Sequence, residues 1–298
     1  MTNVRIVEVG PRDGLQNEPK QVATADKIEL IQRLIACGHR TVEVTSFVSP
    51  QWVPQLADAT EVMAGLDAPD GVSLPVLVPN LKGYERALGA GAKEIAVFTA
   101  ASEAFNRKNI NASIEESLER FVPVFERAKI DGVRVRGYVS TVLGCPYQGA
   151  VPIGDVVRVA HALHAMGAYE ISLGDTIGVG TPEKARTMLM AVASEIPMGA
   201  LAVHFHDTYG MATANVLRCL DAGVRVVDAS VAGLGGCPYA QGASGNVASE
   251  DIVYLLDGLG LTHGLDLDRL IATGQWISER LGRPNASRVG KARANAFA

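Results

Sequence analysis

The 298 residues carry a formal net charge of −5 with no basic stripe and no aromatic RNA-binding motif, which argues against a nucleic-acid partner. Hydrophobic residues make up 48% of the chain, enough for a sizeable core, yet no uninterrupted apolar run reaches the roughly 20 residues that span a bilayer. The four cysteines, Cys37, Cys145, Cys219 and Cys237, form no CxxC pair and suggest neither a disulfide framework nor a zinc site, so a reducing compartment is expected.

The chain begins MTNVRIVEVG, entering an alternating apolar run at once and leaving no room for a signal or transit peptide, and it ends KARANAFA, with no peroxisomal or retention tripeptide. A cytoplasmic protein is expected. Strands are predicted near Val4 to Gly10, Thr41 to Phe47, Ser73 to Pro79, Glu94 to Ala100, Arg134 to Thr141, Glu170 to Asp175, Leu201 to Asp207 and Val226 to Ala232. Helical stretches separate them; in SIEESLERFVPVFERA, Ser113 and Glu116 form a capping box. Four segments repeat one plan, in which an amphipathic helix ends at a glycine (Gly38, Gly91, Gly167, Gly223) and a short turn leads into a β-branched run.

Repeated helix-to-strand joints mean a parallel sheet. Eight alternating units in this length favour an α/β fold, a (β/α)8 TIM barrel, as one catalytic domain over residues 1–298 with a helical extension from about Asn246 to the end. A doubly wound open sheet is the alternative, but no GxGxxG follows the first strand and VGPRDGLQ is no phosphate cradle. A barrel places its chemistry at the carboxyl ends of its strands.

The first strand runs into EVGPRDGLQNE, so Arg12 and Asp13 emerge at that face as an anion clamp and a hard oxygen ligand, or as an inconsequential surface pair. Glu43 interrupts the second strand, where a charge is expensive unless paired; a structural salt bridge and a catalytic role are both open. Asp175, in SLGDTIG after the sixth strand, carries the same ambiguity. The seventh strand ends AVHFHDTYG, with His204 and His206 two apart and therefore on one face. Either they hold a divalent metal, with Asp207 or a distant carboxylate completing the set, or they are hydrogen-bonded core or barrel-mouth groups. Two imidazoles with oxygen from Asp13 and Asn246 make a nitrogen and oxygen donor set without thiolate, which suits Mg2+ or Mn2+ better than structural zinc. Last comes GLGGCPYAQGASGN, Gly233 to Asn246, whose glycines permit either mobility or close backbone approach around Cys237.

Taken in order, VGPRDGLQNE, EVTSFVSPQWVPQLAD, FNRKNIN, VRGYVSTVLGCPY, YEISLGDTIGVGTP, HFHDTYG and SVAGLGGCPYAQGASGN resemble the 3-hydroxy-3-methylglutaryl-CoA lyase family, within the superfamily of metal-dependent lyase and synthase barrels. The resemblance runs from about Val4 into the terminal helices. RDGLQ and HxHD mark the superfamily, and the Cys237 loop marks the lyases. It implies divalent-metal-dependent cleavage of 3-hydroxy-3-methylglutaryl-CoA to acetoacetate and acetyl-CoA, a step of leucine degradation, in a homodimer. It implies further that Asp13, His204, His206 and Asn246 bind Mg2+ or Mn2+ and that Arg12 holds the thioester carbonyl. Cys237 would be the mobile acid or base, with Glu43 and Asp175 supporting the site. The sequence departs from animal members of that family in lacking a leader and in replacing their cysteine-containing tail from Ala294 onward, so no thiol switch through that tail is expected.

Val48, Trp52 and Tyr138 are candidate lining for the acyl pocket, and Arg107, Lys108 and Asn109 for the CoA mouth. The rival readings are a lyase for a longer isoprenoid 3-hydroxyglutaryl-CoA, a Claisen synthase of the isopropylmalate or homocitrate type, an aldolase for a 4-hydroxy-2-oxo acid, and a catalytically silent barrel used for binding.

Overall fold

The computed structural model describes residues 3–236 and 245–294. Its eight strands are β1 (Arg5–Glu8), β2 (Thr45–Ser46), β3 (Val76–Leu77), β4 (Glu94–Ala100), β5 (Arg134–Ser140), β6 (Glu170–Asp175), β7 (Leu201–Phe205) and β8 (Val226–Ala229). They pair in parallel in the order β1-β8-β7-β6-β5-β4-β3-β2. The ring closes between its two ends: Glu8 N donates to Thr41 O (3.0 Å) and Glu43 N donates to Glu8 O (2.8 Å). The fold is the expected α/β barrel.

The helices follow from local sequence. Those preceding the strands include α1 (Thr24–Ala36), α2 (Ala59–Ala64), α3 (Leu81–Gly89), α4 (Glu103–Ile110) and α5 (Ile114–Asp131), then α6 (Ile153–Ala165), α7 (Pro182–Ala193) and α8 (Ala212–Asp221). In α5 the capping box is present: Ser113 Oγ accepts from Glu116 N and the Glu116 carboxylate accepts from Ser113 N. The four glycines of the repeated helix-to-strand joint all lie in the left-handed half of backbone space, with φ of 104° at Gly38, 87° at Gly91, 112° at Gly167 and 113° at Gly223. A side chain there is strained, so glycine at this place is what lets each helix stop and turn back into the barrel.

Strand edges differ from expectation at β2 and β3, which are short. Pro75 has no N–H to give, so the ladder along Thr41 to Phe47 is carried by isolated bonds such as Val44 N to Pro75 O (3.0 Å) and Phe47 N to Leu77 O (2.8 Å).

After β8 come α9 (Ser249–Gly258), α10 (Leu267–Leu281) and α11 (Arg288–Ala294), as the expected helical extension. They cover an acidic layer on the outer side of β1. Glu8 accepts from Gly10 N (2.8 Å), Val231 N (3.0 Å) and Ser249 Oγ (2.6 Å), while both oxygens of Glu250 accept from Ala232 N (3.0 Å). Burial raises Glu8 to about 7 and Glu250 to about 8, and lowers the neighbouring His39 to about 4. A carboxyl whose folded pKa exceeds its unfolded value binds more protons folded than unfolded, so its effect is to lower stability as pH rises from about 4.5 to its folded value. His39 acts in the opposite sense but only below its ordinary value of 6.5. Above that pH the carboxyls decide the slope. The thermal midpoint is therefore expected to fall between pH 6.5 and 8, and Glu250→Gln should make that fall shallower; an unchanged slope in calorimetry at several pH values would rule this out.

Candidate active site

The site is assembled where β1, β2, β5, β7 and β8 end. Beyond β1 the segment Gly10–Gly14 forms a single wide π turn, in which Asp13 N (2.8 Å) and Gly14 N (3.1 Å) both donate to Val9 O. Pro11 sits at the start of that turn, where a missing N–H costs nothing. The turn presents Arg12 and Asp13 to the barrel mouth. Gly14 is required by packing, since a Cβ there would lie 2.7 Å from Leu234 Cβ.

Arg12 is held on both sides by carboxylates. Its Nε and Nη2 reach Glu43 Oε2 (both 2.7 Å), and its Nη1 reaches Asp13 Oδ1 (2.7 Å). Burial opposes the guanidinium charge, but Glu43 and Asp13 outweigh it, so Arg12 stays cationic. Burial raises the Glu43 carboxyl against the pull of Arg12. Glu43 makes a buried salt bridge, and its partner is Arg12.

The seventh strand delivers its histidines as its period of two demands. His204 and His206 face the same side with ring centroids 5.5 Å apart. The backbone of His206 forms an antiparallel bridge with Asn246, which returns the chain to the site after the glycine-rich segment. Ligand atoms of Asp13, His204 and His206 all lie within 4.8 Å of one another. Asn246 Nδ2 donates to Asp13 Oδ2 (2.9 Å) and to Leu234 O (3.1 Å). Four residues from three separate stretches of the sequence therefore converge.

The electrostatics suit a cation. Burial, reinforced by His204, lowers His206 to about 4, so its ring is neutral near pH 7 and retains a lone pair. Burial works against ionised Asp13, but Arg12 and the two histidines outweigh it and lower the carboxyl to about 2. His206 Nδ1 and Asn246 Oδ1 are buried polar atoms with no hydrogen-bond partner among the described residues. Orphaned acceptors beside a carboxylate and a neutral imidazole are expensive unless something binds them. The donors present fit a divalent metal.

Asp175, expected to support the site, ends β6 with its carboxylate facing the loop that follows. Its Oδ1 accepts from Val179 N (3.2 Å) and its Oδ2 from Gly180 N (2.7 Å), so the carboxylate is turned onto its own following loop. Burial raises it to about 6 in spite of those amides. Its neighbours Gly174 and Thr176 line the cavity, and its own bonds hold the turn that leads to α7.

The cavity above this floor has a volume of about 770 Å3. Arg12, Asp13, His204 and His206 form its polar end, and Val48, Trp52 and Tyr138 line it as expected. At the mouth, Lys108 and Asn109 line it while Arg107 faces away toward Glu103. Cys145 lies in a tight turn, accepting from Ser102 Oγ (2.9 Å) and Tyr147 N (3.4 Å), which is the structural role its burial suggests. Cys237 lies outside the described residues.

Three polar residues beneath the floor escaped sequence reading: Arg136, Ser172 and Asp228. Their signal was present, because VRVRGY and VVDAS each put a charge into a buried apolar strand, as TVEVTSF does for Glu43.

A family profile described as HMGL-like matches residues 3–277. The chain belongs to the HMGL-like family. Among the relatives of this HMGL-like protein, the mitochondrial hydroxymethylglutaryl-CoA lyase of Gallus gallus is 60% identical over 289 residues, covering 97% of both chains. The 3-hydroxy-3-isohexenylglutaryl-CoA/hydroxy-methylglutaryl-CoA lyase of Pseudomonas aeruginosa is 59% identical, covering 97% of this chain and 96% of its own. The crystal structure of hydroxymethylglutaryl-CoA lyase from Pseudomonas aeruginosa superposes with a TM-score of 0.97 at 58% identity, covering 100% of this chain and 99% of that one. Among the described residues of this HMGL-like chain, no helix is long and apolar enough to cross a membrane.

Proposed function

We infer that this protein is a carbon–carbon lyase that cleaves 3-hydroxy-3-methylglutaryl-CoA to acetoacetate and acetyl-CoA, the whole chain serving as one catalytic domain. The observation that carries the reading is the placement of the Arg12 guanidinium beside the Asp13, His204 and His206 donor cluster on the floor of one deep cavity. The names of the full-length relatives support it.

Asp13, His204, His206 and Asn246 would hold the cation, and the absence of thiolate among them favours Mg2+ or Mn2+. When bound, such a metal supplies Lewis-acid chemistry, lowering the pKa of a substrate hydroxyl. The protein's own groups do the rest. Cleavage requires transfer of the tertiary hydroxyl proton to a base on the cavity floor; the bond between C2 and C3 breaks, its electron pair passes to the thioester as an enolate, and the oxygen-bearing carbon becomes the ketone of acetoacetate. Arg12 is positioned for the developing negative charge on the thioester oxygen, and Glu43 fixes the guanidinium in place. A proton must then reach the enolate carbon to give acetyl-CoA, and Cys237 is assigned that transfer. Asp175 supports the floor through its loop.

The chain's described cysteines, Cys37, Cys145 and Cys219, are free and buried, which supports the cytoplasmic assignment. A homodimer is carried over from the family resemblance.

Turnover of 3-hydroxy-3-methylglutaryl-CoA, followed by acetoacetate release, tests the activity. Chelation should remove turnover and added Mg2+ or Mn2+ should restore it; full turnover in a preparation shown to be metal-free would sink the metal assignment. A second reading, in which the acyl chain carries an isoprenoid substituent in place of the methyl group, is favoured by the name of the Pseudomonas aeruginosa relative and by the apolar wall of Val48, Leu77 and Phe98. The ratio of kcat/KM for the two substrates decides between them.

A further inference from the structure

We propose that Asp228 is a positioning residue that fixes the ring tautomer and aim of His204, turning its Nε2 lone pair toward Asp13. The proposal deepens the metal reading of the Asp13, His204 and His206 cluster and rests on it.

The register of the barrel creates the contact. His204 on β7 and Asp228 on β8 are direct partners across the ladder. Their side chains meet inside the barrel, with His204 Nδ1 3.3 Å from Asp228 Oδ2. The other ring nitrogen, Nε2, lies 3.9 Å from Asp13 Oδ2 on the opposite edge of the imidazole. One ring thus bridges a buried carboxylate below and the donor cluster above.

Asp228 is built to accept. Arg136 Nη2 donates to its Oδ1 (2.7 Å), while Arg136 Nη1 (3.0 Å) and Ser172 Oγ (2.7 Å) donate to its Oδ2. Arg136 is itself fully buried and also gives Nε to Glu170 Oε1 (2.7 Å) and Nη1 to Tyr138 Oη (2.8 Å), so it cannot rotate away. With two guanidinium N–H groups and a serine hydroxyl all donating to it, Asp228 is surrounded by donors as a carboxylate is.

An ionised carboxylate has no proton to give. Its contact with His204 therefore holds only if Nδ1 carries the hydrogen, which in the neutral ring leaves Nε2 as the bare nitrogen. A metal-binding histidine commonly gains orientation and basicity from such a partner, and loss of the partner typically costs about tenfold to a hundredfold in metal affinity. The two histidines of the cluster are unequal in this respect. His206 Nδ1 has no hydrogen-bond partner among the described residues, whereas His204 Nδ1 has Asp228.

The test reads ring protonation and metal binding separately from turnover. In metal-free protein labelled with 15N-histidine, long-range proton–nitrogen correlation should show His204, assigned by loss of its signal in His204→Gln, in the Nδ1–H form. Mn2+ titration followed by electron paramagnetic resonance should show binding by the wild type. Asp228→Leu, which removes the acceptor, should shift His204 toward the Nε2–H form and weaken Mn2+ binding about tenfold to a hundredfold. Asp228→Asn retains one acceptor oxygen and should lose less affinity than Asp228→Leu. If Asp228→Leu does not fold, Arg136→Met combined with Asp228→Leu removes one buried charge of each sign and is read in the same way. An Nε2–H form of His204 in the metal-free wild type would overturn the proposal, as would Mn2+ affinity in the leucine variant within about threefold of wild type, well short of the loss expected for an orienting partner. Failure of the wild type to bind Mn2+ while His204 keeps its Nδ1–H form would remove the metal reading and leave the tautomer assignment standing.

Discussion

Arg12→Gln is expected to lower kcat by roughly a hundredfold to a thousandfold, the cost typical of losing one preorganised electrostatic donor, with a much smaller change in KM. The expectation follows from how the side chain is fixed before substrate arrives. Glu43 takes its Nε and Nη2, Asp13 takes its Nη1, and the guanidinium lies over the Tyr138 ring at 5.4 Å. Nothing must reorganise when charge moves onto the thioester oxygen, so the interaction is strongest in the transition state. Glutamine removes the positive charge and leaves Glu43 and Asp13 as neighbouring carboxylates without their common cation. Arg12→Lys restores a charge but cannot make the planar fork that grips both partners, so it should fall between wild type and Arg12→Gln. Thermal unfolding of each variant separates lost folding from lost chemistry. If Arg12→Gln raised KM and left kcat intact, the residue would be a substrate-binding group and no more.

The parts of this molecule that could be read in the sequence are those whose information is local. Strands β4 and β6 fall where their apolar runs end, and the four joint glycines mark four real helix stops, because a left-handed residue is a property of one position. The convergence of Asp13, His204, His206 and Asn246 was legible through one further rule, that a barrel gathers its strand ends at one mouth. Pairings across the barrel were not legible. The bridge from Arg12 to Glu43 joins residues 31 positions apart, and that from Arg136 to Asp228 joins residues 92 apart, so each depends on which strands become neighbours or face each other across the interior. The orientation of a single carboxyl was also hidden: the sequence puts Asp175 at a strand end, but only the turn through Gly178 decides that its oxygens meet Val179 and Gly180. Residues at strand ends could be found, and the pairings that aim them could not.

Cys237→Ser is expected to lower kcat by roughly a hundredfold to ten-thousandfold, the range typical for removal of a general acid or base, with Mn2+ affinity unchanged. Cys237 is outside the described residues, yet the chain on both sides of it is placed. Gly236, the preceding residue, lines the cavity, and its carbonyl accepts from Asn17 Nδ2 (3.0 Å) on the segment that follows the Arg12 and Asp13 turn. On the far side, Asn246 is tied to Asp13. The described residues on either side, Gly236 and Asn246, therefore both lie at the cavity end that holds Asp13, and the thiol that follows Gly236 in sequence is the proposed source of the proton that the enolate carbon needs. An ordinary thiol titrates near about 8.5 and is mostly protonated at neutral pH, whereas a serine hydroxyl is a far weaker acid of similar size. The paired control is Cys145→Ser. Among the described residues, Cys145 accepts hydrogen bonds from Ser102 Oγ and from the Tyr147 and Gln148 amides, and a hydroxyl oxygen can accept the same bonds, so that variant should keep near-normal turnover. A kcat near wild type in Cys237→Ser would refute proton transfer by this thiol, and the donor would then have to be sought among the groups already on the cavity floor.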